Sequence, residues 1–150
     1  VNFLVQSIIE GLRNYLAGCP LLAEFPVKTR HIDWTSADID GNYGIFPAAH
    51  EPLGEPYING AQEMLYSAQI NVRKFSDTDA KRLEANAWLE RFQRWLSAQA
   101  AEGHFPEMPE GCVPCEIEAV NAGLLDTDIT GKKNVYMVQI NLNYILNGGN

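Results

Sequence analysis

The chain has 150 residues, 46% of them hydrophobic and 20% charged, enough for one well-formed core and too few for two. The formal net charge of −8 and the pI of about 4.8 argue against tight binding to nucleic acid phosphates, and no sequence-specific nucleic acid partner is expected. No apolar run approaches the roughly 20 residues that a membrane span requires. The charge is uneven: −4 over residues 1–60, zero over 61–105 and −4 over 106–150. The segment 1–16 is interrupted by Gln6, Ser7, Glu10, Arg13 and Asn14, so it does not read as a secretory leader. Three cysteines, Cys19, Cys112 and Cys115, are too few for a disulfide scaffold, and a reducing compartment is the simpler reading.

In chain order, Leu4, Ile8, Ile9, Leu12, Tyr15 and Leu16 recur at helical spacing, predicting a helix over 3–16 that Gly18 and Pro20 end. Val27–Trp34 and Tyr43–Pro47 read as two strands. Between them Ser36-Ala37-Asp38-Ile39-Asp40-Gly41-Asn42 has turn chemistry, predicting a hairpin. Pro52, Gly54, Pro56 and Gly60 mark 49–60 as an exposed connection. From Gln62 to Phe75 the chain alternates: Met64, Tyr66, Ala68, Ile70 and Val72 on one face, and Leu65, Ser67, Gln69, Asn71 and Arg73 on the other. That is the pattern of a long, half-buried antiparallel strand.

Ser76 or Asp77 is the expected N-cap of a helix running to about Ala101, with Leu83, Ala87, Trp88, Phe92, Trp95, Leu96 and Gln99 on its apolar stripe and Gly103 as terminator. A Pro-rich connection over 104–111 leads to predicted strands Val113–Val120 and Val135–Ile145, separated by a loop from Gly123 to Asn134. Residues 146–150 read as a frayed tail. The expected fold is a single α+β domain over 1–150: a mixed, mostly antiparallel sheet of about five strands packed against a long helix, plus an N-terminal helix.

Candidate chemistry is sparse. Cys112-Val113-Pro114-Cys115 opens a strand, whereas a redox C-x-x-C opens a helix, and Cys19 and His104 form no second pair for structural zinc. The 38–42 segment lacks the glutamate that an EF-hand places at its twelfth position, where Pro47 stands. There is no G-x-S-x-G, H-E-x-x-H or Walker-type loop, and Gly131-Lys132-Lys133 lacks the rest of a phosphate loop. An H-x-x-x-D-G motif is ruled out by Thr35 and Gly54, four residues after His31 and His50. His31 and Asp33, two apart on a strand, could form a catalytic pair, and a strand-surface pair is the blander alternative. No catalytic, cofactor-binding or metal residue is assigned. A partner surface is expected instead at Leu65 and Phe75, which are apolar on a polar strand face, and at Asp126, Asp128, Lys132 and Lys133 in the last loop.

The order of elements resembles the small tail-terminator or tail-completion proteins of long-tailed bacteriophages and prophages. The resemblance covers nearly the whole chain. It rests on the early helix ending Cys19-Pro20-Leu21-Leu22, Tyr57-Ile58-Asn59-Gly60 leading into a strand that ends Arg73-Lys74-Phe75, the helix with Trp88-Leu89-Glu90-Arg91-Phe92, and the last strand from Tyr136 to Tyr144. The resemblance implies a non-enzymatic virion protein without cofactor, found in the host cytoplasm before assembly. It would form a ring, commonly a hexamer, on the tail-tube protein, stop tube growth and face the head-side connector. A head-closure or minor capsid protein is the neighbouring reading. A small enzyme or ligand-binding domain using His31, Asp33 and the acidic 38–40 turn is the reading from another class.

Overall fold

A computed structural model describes residues 5–25, 30–32, 35, 41–128 and 130–147. The chain runs α1 (Ile8–Ala17), α2 (Pro20–Ala23), β1 (Arg30–Ile32), β2 (Asn42–Pro52), β3 (Gln62–Phe75), α3 (Asp79–Ala101), β4 (Cys112–Thr127) and β5 (Lys133–Leu146). The described strands form one five-stranded mixed sheet in the order β1-β2-β3-β5-β4, and the protein is α+β as its sequence pattern predicts.

β3 and β5 occupy the centre, paired in antiparallel register over the full length of β3, from Gln62↔Leu146 to Phe75↔Lys133. Their alternation builds the core. Tyr66, Ala68, Ile70 and Val72 on β3 and Tyr136, Val138, Ile140, Leu142 and Tyr144 on β5 are all buried on one face. Ile8, Leu12 and Leu16 of α1, Leu22 of α2 and Trp88, Leu89, Phe92 and Leu96 of α3 join them in a single cluster. The helices therefore cover one face of the sheet, and among the described residues no helix covers the other, which is called the open face below. Ala119 and Ala122 on β4 pack against this cluster, and their short side chains let α3 approach β4 closely. Phe92 is fully buried, with its ring stacked on Trp88 and Trp95 at 5.9 and 6.2 Å.

The helix ends follow local chemistry. Ser7 caps α1, its Oγ accepting from the Glu10 amide at 3.2 Å. Gly18 is the C-cap of α1 as expected, and Pro20 opens the short α2 rather than only ending α1. The N-cap of α3 is Thr78, whose Oγ1 accepts from the Lys81 amide at 3.2 Å. Neither Ser76 nor Asp77 is in that position. Ser76 is buried instead, its carbonyl accepting from Asn134 Nδ2 at 3.1 Å and its hydroxyl 3.0 Å from that of Tyr136. The core interior claims Ser76, so the cap moves to the next hydroxyl. At the other end Gly103, with φ of 75°, lets the His104 amide return to the Gln99 carbonyl at 2.9 Å and close α3.

Four expectations on the strands are corrected. β1 pairs with β2 in parallel, Arg30↔Tyr43 to Ile32↔Ile45, so the two do not form a hairpin. Turn residues mark a reversal but not which strands flank it, and residues 36–40 of the expected turn lie outside the described residues. β2 continues to Pro52 through a bulge between Pro47 and Ala49. β4 continues to Thr127, so Gly123–Thr127 is strand and not loop. Three bulges, at Pro114/Glu116, Val120/Gly123 and Leu124/Asp126, break its period of two and hid its length, and Asn121 takes a φ of 53° at the second. Finally, Leu146 belongs to β5 and the Asn147 amide donates to the Gly111 carbonyl at 2.8 Å, so the expected fraying does not reach them; residues 148–150 lie outside the described ones. On α3, Leu83 stands 71% exposed and is not part of the buried stripe, which runs through Ala85, Trp88, Leu89, Phe92 and Leu96.

Candidate assembly surface

The open face of the sheet is built by the residues alternating with the core set. Across β3 and β5 it carries the opposed pairs Leu65↔Asn143, Ser67↔Asn141, Gln69↔Gln139 and Asn71↔Met137. The amides are half-buried and tied to one another. Gln69 Nε2 donates to Asn71 Oδ1 at 2.7 Å, Gln139 Nε2 to Asn141 Oδ1 at 2.9 Å, and Ser67 Oγ to the same Asn141 oxygen at 2.9 Å. Asn121 Nδ2 extends the set from β4 to Gln139 Oε1 at 3.3 Å. The centre of this face is thus neutral and polar, with its amides held in fixed orientations. Its carboxylates stand around that centre: Glu116 and Glu118 of β4 opposite Asn143 and Asn141, Glu51 of β2 opposite Leu65, and Glu63 at the start of β3 opposite Ile145. The alternation of Gln139, Asn141 and Asn143 with apolar residues is a sequence signal for a polar face on β5, and the register with β3 supplies its partners.

The expected partner residues divide between the two ends of that face. Leu65, half-buried, lies ten residues along β3 from Phe75, about 33 Å at strand rise, so the two do not form one patch. Phe75 and Lys133 are brought together: they are register partners, and Lys133 Nζ sits 5.6 Å from the Phe75 ring centre. Asp128 builds the β4–β5 turn. Its Oδ1 accepts from Thr130 Oγ1 at 2.7 Å and from the Lys132 and Lys133 amides at 3.2 and 3.3 Å, and the Thr130 bond leads in holding its carboxyl below the usual range. Asp126, exposed on β4, accepts from the Thr127 amide at 2.9 Å. Lys132 is exposed in the turn.

Both ends of the sheet expose apolar side chains, which the sequence reading missed. At the end where β3 starts stand Tyr57, Ile58, Val113 and Leu146, with Ile58 fully exposed in the Tyr57–Gly60 turn. At the opposite end are Leu124 and Leu125 on β4 and Leu83 on α3, whose neighbour Arg82 donates to the Gly131 carbonyl at 3.0 Å and holds the helix start against the β4–β5 turn. The 14 residues of β3 put about 46 Å between the two ends.

His31 sits on the edge strand β1, half-buried, opposite Gly44, and burial lowers its pKa; Asp33 and the acidic 38–40 turn lie outside the described residues. A cleft of about 350 Å³ between α1 and the β5 end is lined by Ile8, Ile9, His50, Tyr66, Cys112 and Tyr144 among others. In it His50 Nε2 is hydrogen-bonded to the Tyr144 hydroxyl, with the Tyr66 ring edge-on at 5.6 Å. Burial pushes the Tyr144 phenol up to about 12 and raises the thiols of Cys112 and Cys115, the direction opposite to an activated redox pair. A larger cleft of about 470 Å³ borders Phe75, with Lys74 and Lys81 balanced by Glu24 and Glu84. His31 lines neither cleft. Among the described residues no group of three or more His, Cys, Asp or Glu side chains could hold a metal ion, and no helix is long and apolar enough to cross a membrane.

No protein-family model matches the chain, and a search among the curated proteins finds no match. Among solved structures, the chain is similar to a chain of the virion of a native gene transfer agent particle. The TM-score is 0.60 and the identity 10%, and the alignment covers 96% of this chain and 99% of that one. At this identity the likeness is one of fold, and it runs from end to end of both chains.

Proposed function

We propose that this chain is a non-enzymatic structural protein of a phage, prophage or related particle, and within that class a tail terminator. It would close as a homo-oligomeric ring, commonly a hexamer, on the last ring of the tail-tube protein and present its other side to the head-side connector. The observation that carries this reading is the end-to-end likeness of fold to a virion chain. The sequence resemblance to tail terminators narrows it. The geometry supports it: a subunit that touches a tube below and a connector above needs contact surfaces at opposite ends, and the apolar sets at Tyr57/Ile58 and Leu124/Leu125 stand about one β3 length apart. A head-closure or minor capsid protein has the same physical requirements and is the neighbouring reading.

Deletion of the gene in its particle-producing host separates these roles. A terminator is required to stop the tube, so its loss gives tails of uncontrolled length that carry no heads. Tails of normal length beside unjoined heads would move the protein to the head side. Intact, infective particles would refute both.

A further inference from the structure

Given the ring reading, on which this inference rests, we propose that the open amide face of the sheet is the seat of the neighbouring subunit, and that the outer ridge of α3 from a second copy occupies it. Each sheet would then carry its own helices on one face and the neighbour's α3 on the other. The contact is heterologous, since a sheet face meets a helix ridge, and repetition by rotation closes a ring.

Three observations point to that occupant. The first is length. The stretch of open face from Glu63 to Asn71 measures about 30 Å along the strands. α3, 23 residues and about 34 Å long, matches it, and a helix about 10 Å across spans about two of the strands. The second is composition. The centre of the face holds no charge, the depletion expected at the core of an interface. The outer ridge of α3, through Leu83, Ala87, Arg94 and Ala98, has side chains that are short or apolar beside one cation; Glu90 lies on the same ridge. Small side chains let a helix come close to a sheet, as Ala119 and Ala122 do for this chain's own α3.

The third is charge. Glu116 and Glu118 stand exposed at the rim, and Arg91 and Arg94 stand exposed on α3; among the described residues none of these four makes a salt bridge. A two-fold pairing of open face on open face would instead bring the carboxylates of the β4 rim towards Glu51 of the β2 rim, a like-charge contact. Strand addition at the edges is disfavoured as well. β4 carries Pro114, three bulges and two exposed glutamates, and beyond its β1 partner β2 carries Pro47, a bulge and Pro52, the devices by which natural sheets blunt an edge.

The test is a charge-swap cycle on the full chain: Arg94→Glu, Glu118→Arg and the two together, with oligomer mass and dissociation midpoint read by sedimentation velocity across a concentration series, alone and with tail tubes. Far-UV circular dichroism confirms that each variant is folded. Each single swap is expected to raise the dissociation midpoint by about tenfold or more, because like charges then face each other, and the double swap to restore most of it. A wild-type ring that neither single swap weakens overturns the interface, places the amide face towards the lumen or solvent, and leaves the terminator reading intact. A simple dimer in place of a ring overturns it too. A wild type that stays monomeric alone and fails to bind tubes overturns the ring reading itself.

Discussion

Replacing Gly11 by Ala in the middle of α1 is expected to destabilise the protein, the reverse of what the same change does in an ordinary helix. Without a tertiary contact, Gly→Ala in a helix interior gains up to about 1 kcal/mol, because glycine has more backbone freedom to lose on folding. Here a Cβ on Gly11 would fall well inside van der Waals distance of the Glu107 carbonyl oxygen and 3.2 Å from Val5 Cγ2. The first obstacle is backbone, so no rotamer change relieves it. Either α1 tilts away from the 104–111 connection or that connection moves, and both disturb Leu12, with no exposed surface, and Met108, 4% exposed. Overpacking costs about 1–3 kcal/mol, and an obstacle of backbone atoms puts this site in the upper part of that range, about 2–3 kcal/mol. Set against the helix gain, the net loss is about 1–2 kcal/mol, or a fall in Tm of about 2–8 °C for a domain of this size. Urea unfolding followed by tryptophan fluorescence measures it, with Gly123→Ala as control. Gly123 has nothing within 4 Å of an added Cβ, so the control should stay within about 0.5 kcal/mol of wild type. A Gly11→Ala variant as stable as wild type, or more so, would refute the close docking of α1 on the connection that leads into β4.

Three further expectations rest on separate features. Phe92→Ala removes a fully buried ring stacked between Trp88 and Trp95 and should cost about 3–5 kcal/mol by urea unfolding, with loss of near-UV dichroism; a cost below about 1 kcal/mol would deny this stack its place in the core. Thr78→Ala removes the cap hydroxyl of α3 and should cost about 1 kcal/mol, whereas Asp77→Ala, at the position expected from sequence, should leave the helix start capped; equal losses would contradict the assignment. The phenols of Tyr15 and Tyr144 are raised by burial to about 12, so their contribution is complete below the ordinary phenol pKa near 10 and is lost as pH rises through about 12. Ultraviolet titration should show these two ionising later than in the unfolded chain, and stability falling from pH 10 upward. Release of all the phenols near 10 without unfolding would contradict it.

The residues that best announced their structure are those whose neighbours in space are also neighbours along the chain. The bounds of β3 coincide with the alternating run from Gln62 to Phe75, and α3 ends at Ala101 because Gly103 can turn the chain at positive φ. The misses share a different cause. β4 looked half its true length because each bulge shifts the alternation by one residue, and a bulge shows only when the partner strand is in place. Ser76 looked like a cap because a hydroxyl before a helix usually is one, and only the packing of Asn134 and Tyr136 around it shows why Thr78 takes over. Leu83 looked like core because it falls at helical spacing from Ala87; the direction in which α3 faces the sheet turns it outward.

The candidate surface divides in the same way. Leu65, Phe75, Asp126, Asp128, Lys132 and Lys133 could be picked out singly, and the structure joins Phe75 to Lys133, makes Asp128 the anchor of a turn that holds the Lys132 and Lys133 amides, and sets Leu65 about 33 Å from Phe75. The amide set on the open face was visible as two polar half-patterns 70 residues apart, and β3–β5 register makes it one surface. By itself the sequence determined the α+β class, the long central strand and the long capped helix, since periods of 2 and 3.6 and the end signals are properties of short stretches of chain. Strand order, the parallel β1, the bulged length of β4 and the neutral face with its acidic rim were decided only by tertiary structure, because each depends on pairing between residues that the sequence keeps far apart.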